Sequence, residues 1–239
     1  FTLGDMARKR RETLERLRRE GLLDCQKSLA LGRPLRHIAV ISSASAAGWG
    51  DFYSHIQAAR EQWPFLLQLY PALMQGEGTT TSILSALRDI VQSGIAYDCV
   101  VLIRGGGAEI DLMAFDSYEL CASIARYPLP IIVGIGHERD TSVADRVAHH
   151  SLKTPTAVAE FLLNSREREW TLLRKLSEQL QRSVVLMQDY HLALLQRLVH
   201  HLPIAIKEST QQEFFKLQRQ EATLQRTALI LLAQERQRI

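Results

Sequence analysis

The chain has 239 residues, 46% of them hydrophobic and 23% charged, with a formal net charge of +3, values ordinary for a soluble globular protein with one substantial domain and an appendage, or two small domains. The weak positive charge permits a nucleic-acid partner without requiring one, and Cys25, Cys99 and Cys121, scattered without CxxC spacing, argue against a disulfide framework and a zinc site. No apolar stretch approaches the length of a membrane span and no charged-then-apolar leader opens the sequence, so the expected compartment is the reducing cytoplasm; a start at Phe1 rather than Met is read as part of a longer chain.

In chain order, residues 5–20 predict a charged helix with Leu14 and Leu17 on a thin apolar stripe. Its basic run Arg8 to Arg11 could touch phosphates or could be a solvated face leading in from a preceding domain. Residues 1–34 are accordingly expected to form an N-terminal helix and linker. Four short Val-, Ile- and Leu-rich runs follow: Ile38 to Ile41, Phe65 to Leu69, Cys99 to Ile103 and Pro130 to Ile135. They suit parallel strands buried on both faces. Helical patterns at about 50–62, 79–93, 111–126 and 141–149 separate or follow them, so residues 35–155 predict an α/β domain: an open, mostly parallel sheet with flanking helices. From residue 156 to 239 glycine disappears. Leu173, Leu176, Leu180, Val184, Met187, Leu194 and Leu198 step by three and four, with His191 filling one slot. That spacing predicts long helices of coiled-coil or bundle type. Pro203 is expected to interrupt them, and a second helix carries Phe214, Leu217, Leu224, Ala228 and Leu231.

A parallel sheet delivers the loop after each strand to one edge, where ligands of open α/β folds bind. After the first strand, Ser42 and Ser43 open a run of small residues that lets backbone N–H groups approach an anion, and Asp51 is expected in the first turn of the next helix. There Asp51 is either functional or merely a favourable N-terminal acid. After the second strand, Tyr70 to Gly78 and Thr79-Thr80-Thr81 form a weaker cradle. After the third, Arg104 stands before Gly105, Gly106 and Gly107, three residues without Cβ whose N–H groups could line a phosphate-sized hollow, unless they serve only a tight turn. Arg104 adds a planar, permanently charged fork. After the fourth, Gly136-His137-Glu138-Arg139-Asp140 places a histidine that titrates near neutrality three residues from an acid that can orient it.

The stretches Val40 to Ser43, Tyr70 to Gly76, Arg104 to Gly107, Gly136 to Asp140 and Thr154 to Glu160, in this order and spacing, resemble the large subunit of exodeoxyribonuclease VII. The resemblance covers roughly residues 35–165. It implies hydrolysis of single-stranded DNA from either end to oligonucleotides, no required divalent metal and no cofactor, and a small helical subunit held on the long helices. It places the family's functional residues on Asp51, Arg104, His137 and Asp140. Two departures stand out. Ala108-Glu109-Ile110-Asp111-Leu112-Met113 replaces the family's Ser-Leu-Glu-Asp-Leu-Trp, keeping the acids and losing the Trp, and nothing in this sequence supplies the family's OB-fold.

The expected chemistry is phosphodiester hydrolysis. Arg104 and the Gly105–Gly107 amides, with Ser42, Ser43 and Gly136, hold the phosphate; His137, oriented by Asp140, moves a proton; Asp51 positions or activates water. A rival keeps the residues but makes Asp51, Asp111, His137 and Asp140 ligands of a hard metal. Another is a non-catalytic nucleotide- or sugar-phosphate-binding module on a flavodoxin-like sheet. A third is an assembly scaffold in which the helices alone matter. Self-association through the helices is expected, and no membrane contact.

Overall fold

The computed structural model describes residues 3–32, 34–105, 109–135 and 141–236. After helix α1 (Leu3–Arg19) come β1 (His37–Ser42), α2 (Ala47–Ala58), β2 (Leu66–Pro71), α3 (Thr79–Gln92) and β3 (Cys99–Ile103). A 3₁₀ segment (Glu109–Asp116) leads into α4 (Tyr118–Ala125), followed by β4 (Ile131–Gly134), α5 (Val143–Val147), β5 (His150–Ser151) and α6 (Pro155–Arg236). The sheet has five strands in the order β2-β1-β3-β4-β5, all paired in parallel. Strand order reverses between β1 and β3, which makes the carboxyl ends of those two strands the switch point of the fold.

Alternation along the strands builds two cores. Ala39, Ile41, Val100, Leu102, Ile131 and Val133 face one layer with Ile83, Leu87, Leu120 and Ile124 from α3 and α4. Ile38, Val40, Cys99, Val101, Ile103 and Ile132 face the other, with Phe52 and Ile56 of α2 and Val158, Ala159 and Leu162 of α6. The apolar runs of β1, β3 and β4 are thus strands covered on both faces, whereas β2, expected to be buried in the same way, is an edge strand with none of its residues buried. Cys99 and Cys121 are buried core thiols, pushed far up in pKa by burial, and none of the three cysteines is in a disulfide.

Several expectations are refined. The expected helix at 111–126 is a 3₁₀ segment and then α4, because the Ser117 hydroxyl accepts from Leu120 N–H and starts a new helix. The pattern at 141–149 shortens to α5, after which His150 and Ser151 pair with Ile132 and Val133 as an edge strand too short for any periodicity to reveal. α1 is more than a lead-in: Leu17 is fully buried, Leu14 packs on the same core, and the Arg16 guanidinium lies 3.4 Å from the Tyr118 ring centroid. Its basic run is turned toward carboxylates, with Arg10 3.1 Å from Asp116 and Arg11 3.1 Å from Glu15.

The chain divides into two compact units, Phe1–Leu173 and Arg174–Ile239, so the first takes in both α1 and the opening turns of α6. The expected break at Pro203 does not occur; α6 is one helix of 82 residues with Pro203 inside it. Proline removes one N–H and crowds the carbonyl four residues back, at Val199. Val199 is 73% exposed, so a carbonyl turned aside there meets water rather than an apolar core, and the helix gives up a bond without ending. Among the described residues no helix is long and apolar enough to cross a membrane.

The end of β4 is tightly packed. A Cβ on Gly134 would lie 2.6 Å from Val158 Cγ2, 3.1 Å from Ile103 Cγ2 and 3.2 Å from the Thr154 carbonyl oxygen. The branched Val158 cannot swing away and Thr154 contributes backbone, so Gly134→Ala is expected to cost about 1–3 kcal/mol through overpacking. Chemical denaturation of the two proteins checks this; unchanged stability would mean that α6 can shift outward at no cost.

Candidate functional site

The loops after β1 and β3 meet at the switch point. A Cβ on Gly48, in the first turn of α2, would lie 2.6 Å from both Cα and N of Gly105, and one on Gly105 would lie 2.8 Å from N of Gly48. Neither residue could carry a side chain without moving backbone. The missing Cβ atoms therefore let the start of α2 rest directly on the turn that leaves β3. No side chain caps α2 at Ala46, so its first N–H groups lack the usual hydroxyl or carboxylate partner.

Arg104 is buried, 5% exposed, and its N–H donates to the Gly134 carbonyl at 3.2 Å, tying the β3 exit to the end of β4. Ser42 is fully buried at the end of β1; its carbonyl accepts from Ala72 N–H at 2.9 Å, while its Oγ has no hydrogen-bond partner among the described residues. Ser43 is half-buried, its carbonyl accepting from Ala46 N–H at 3.1 Å and its hydroxyl 3.2 Å from that of Ser45. The sequence put Asp51 in the first helical turn. Helix α2 instead begins at Ala47, within the run of small residues, which sets exposed Asp51 one turn further in and leaves the first turn without an acid.

Ser42, Arg104 and Gly105 thus gather at the switch point. Gly106, Gly107, Gly136, His137 and Asp140 lie outside the described residues, as does the side chain of Asp111. Among the described residues no three His, Cys, Asp or Glu side chains are grouped to hold a metal ion.

The residues just after Asp140 are held by groups that the sequence reading did not single out. Asp145 Oδ2 accepts from both the N–H and the hydroxyl of Ser142, each at 2.8 Å, closing a capping box on α5. Ser151 donates to Asp145 Oδ1 at 2.8 Å. Asp116 Oδ1 accepts from Val143 N–H at 2.7 Å, and Oδ2 takes Arg10 Nε at 3.1 Å. Burial raises the pKa of Asp116, opposed by the Val143 N–H and by Arg10 and reinforced by Asp145. Ser142-Val143-Ala144-Asp145 carries a legible capping signal, whereas Asp116 has only the weak one of an acid closing the apolar stretch Leu112 to Phe115.

On the same sheet edge, a cleft of about 530 Å³ opens at the start of α3 between Gly76–Thr81 and Met113, Ala114 and Ser117. The hydroxyls of Thr79 and Thr81 donate to the carbonyls of Gly76 and Gly78, each at 2.9 Å, so they brace the loop rather than cap the helix. The expected cradle there is a real recess with its hydroxyl donors already used.

Two neighbouring glycines of α2 separate the close approach from helix propensity. Among the described residues nothing lies within 4 Å of a Cβ on Gly50. Gly50→Ala is expected to stabilise the protein by about 0.5–1 kcal/mol, the ordinary helical preference for alanine. Gly48→Ala gains the same preference but must push backbone from backbone, and is expected to lose a net ~1–3 kcal/mol. Thermal unfolding of both variants checks the pair; equal stabilisation would show that the α2–β3 approach is loose.

The family described as exonuclease VII, large subunit, matches residues 22–239. Among similar proteins, the exodeoxyribonuclease 7 large subunit of Parasynechococcus marenigrum is 37% identical over 174 residues, covering 70% of this chain and 42% of its own length. That of a Cyanothece species is 39% identical, covering 66% and 36%. That of Nitrosomonas europaea is 35% identical, covering 77% and 42%. The chain thus spans roughly two fifths of the relatives it matches. With a family match running from residue 22 to the last residue and over a third of positions shared with these relatives, the chain belongs to the exonuclease VII large-subunit family.

Proposed function

We propose that the protein to which this chain belongs hydrolyses phosphodiester bonds of single-stranded DNA, from either end, to oligonucleotides; its relatives' name, exodeoxyribonuclease, supports the exonucleolytic cleavage of DNA. The observation that carries this is the backbone contact between Gly48 and Gly105, which brings buried Arg104 and an uncapped helix start to the switch point. Backbone N–H groups and a guanidinium so placed are suited to a phosphate and to the charge that grows on it in the transition state. Gly105, Gly106 and Gly107, with Gly136, Ser42 and Ser43, complete the phosphate site. His137 gives or takes the proton with Asp140 orienting its ring, and Asp51 positions or activates water. The reaction needs neither cofactor nor divalent metal.

The partner is a small helical subunit on α6. Leu173, Leu176, Leu180, Val184, Met187, Leu194 and Leu198 are all more than 40% exposed, an apolar series at three- and four-residue steps, with His191 in the slot between Met187 and Leu194, that a second helix would cover. Self-association through the same helix belongs to this proposal. The buried thiols, with no disulfide formed, fit a cytoplasmic enzyme.

In the assembled enzyme, His137→Ala is expected to lower the cleavage rate by roughly 10²–10⁴-fold, the usual worth of a positioned acid–base group, while single-stranded DNA still binds. Cleavage should persist in excess chelator. Undiminished cleavage by the variant would overturn the catalytic assignment, and complete loss on chelation would transfer Asp51, Asp111, His137 and Asp140 to metal binding.

A separate check concerns the helix. Leu180→Asp with Met187→Asp places charges on the apolar series and should abolish co-purification of the small subunit, with the folding of residues 1–173 unaltered. Retained assembly would place the partner elsewhere.

A further inference from the structure

The first two turns of α2 carry Trp49, Phe52 and Tyr53, rings to which the proposed hydrolysis assigns no part. Phe52 is fully buried in the core on one face of the sheet and fixes its neighbours from beneath. Trp49 is half-buried and lies against Phe52, with ring centroids 6.1 Å apart and planes 28° from parallel. Tyr53, one turn on, meets Trp49 at 5.3 Å with a tilt of 38°. Trp49 packs part of its surface on the core, but Tyr53 belongs to neither core cluster and is 42% exposed. Aromatic residues are not favoured by a helix for its own sake, and an exposed ring gains little from burial. The result is an aromatic surface with a rigid support and an open side.

The place of this surface in the fold identifies its partner. Trp49 follows Gly48, whose approach to Gly105 sets the start of α2 on the turn after β3. Helical side chains lean back toward the N-terminus, so the rings at 49 and 53 lean toward the sheet edge that holds the uncapped N–H groups and buried Arg104. At 3.6 residues per turn Trp49 and Tyr53 share one flank, about 40° apart, while Asp51 lies about 160° from Trp49 on the other. A ligand resting on the aromatic flank therefore leaves the space beside Asp51 clear. A group that suits both neighbours carries a phosphate and, within one nucleotide's reach, a flat unsaturated ring. The other tryptophans differ. Beyond the far end of α2, Trp63 is met by the edge of Trp170 at 6.3 Å and by the Arg166 guanidinium at 5.8 Å, so its ring is engaged within the protein.

We propose that Trp49 and Tyr53 form a base-stacking subsite, which holds the nucleobase next to the phosphate seated at the β1–β3 switch point. The inference rests on the proposed phosphate site and deepens it. Phosphate contacts fix where a strand lies, and stacked rings hold its unpaired bases whatever their identity, because every base has a π-face. A base already stacked inside a duplex has no free face to offer, so the subsite selects a single strand without reading its sequence.

The test uses the complete enzyme, large and small subunits together, with oligothymidylate and an abasic deoxyribose-phosphate chain of the same length. Oligothymidylate should quench indole fluorescence. A component of that quench should be missing in Trp49→Phe, retained in Trp63→Phe and Trp170→Phe, and not produced by the abasic chain. Tyr53→Ala changes an exposed side chain, so folding is not at stake. It should raise KM for oligothymidylate on the order of tenfold, within the roughly 5- to 150-fold that one stacked base is worth, with kcat unchanged. Tyr53→Phe keeps the ring and should keep the wild-type KM. A wild-type KM in Tyr53→Ala, or a Trp49 signal evoked equally by the abasic chain, would overturn the stacking role. So would a Trp49 signal that answers to the small subunit and not to oligothymidylate, which would make the surface a protein contact. Failure of the wild-type enzyme to cleave single-stranded DNA would instead overturn the function on which the inference stands.

Discussion

The backbone-to-backbone approach of Gly48 and Gly105 is the constraint on which the site depends. In an open parallel sheet the strands beside the switch point send their helices to opposite faces, and a crevice opens between their exit loops. Here the helix after β1 closes down on the turn after β3 until a methyl group at either position would sit within 2.8 Å of backbone. Such proximity aligns three elements without side-chain intermediaries. The start of α2, the Arg104 turn and, through the bond from Arg104 N–H to the Gly134 carbonyl, the end of β4 become one unit. Gly134 repeats the device on its own side, where Val158 of α6 occupies the space a side chain would need.

The second determinant is electrostatic, and its sign is informative. A carboxyl whose folded pKa is raised above the ordinary range binds its proton more tightly in the folded state. Its contribution to stability is therefore greatest below the ordinary carboxylate range and is lost as pH rises through the folded value. Asp116 is raised chiefly by burial, so at neutral pH its ionised form is a net cost to folding despite Arg10. An apolar residue of similar volume at such a place is often neutral or stabilising. What the carboxylate supplies there is an acceptor for the Val143 N–H at the start of α5 and a partner for Arg10.

Most of the sheet is legible in the sequence because burial of β1, β3 and β4 on both faces demands apolar runs. Cys99–Ile103 has the same bounds in sequence and structure, and the other three runs differ by one or two residues at their ends. What stayed hidden was held by tertiary contact alone. β5 is two residues long and exists because Ile132 and Val133 offer it partners. The start of α2 moved to Ala47 because packing on Gly105 favours it, against a local sequence that offers no cap. Pro203 signals a break, but that signal carries less force where the released carbonyl, at exposed Val199, can reach water. Within the site, the glycines and Arg104 advertise themselves by composition. Asp116 does not, because its partners are 27 and 106 residues away in the chain.

The distribution of charge bears on how a polyanion would be recognised. With a net charge of only +3, general attraction to DNA is weak and falls further with salt. The densest basic run, at the start of α1, is turned to carboxylates: Arg10 to Asp116, Arg11 to Glu15, and Arg8 3.9 Å from Glu12. Arg16 lies against Tyr118 and Glu20, and Glu20 takes Arg126 as well. In the proposed function the switch point would add local features, helix-end N–H groups and a buried guanidinium acting at short range in a low dielectric. Such a site is suited to reading a single phosphate group more than a length of backbone. That division assigns the grip on an extended strand to surfaces beyond the switch point.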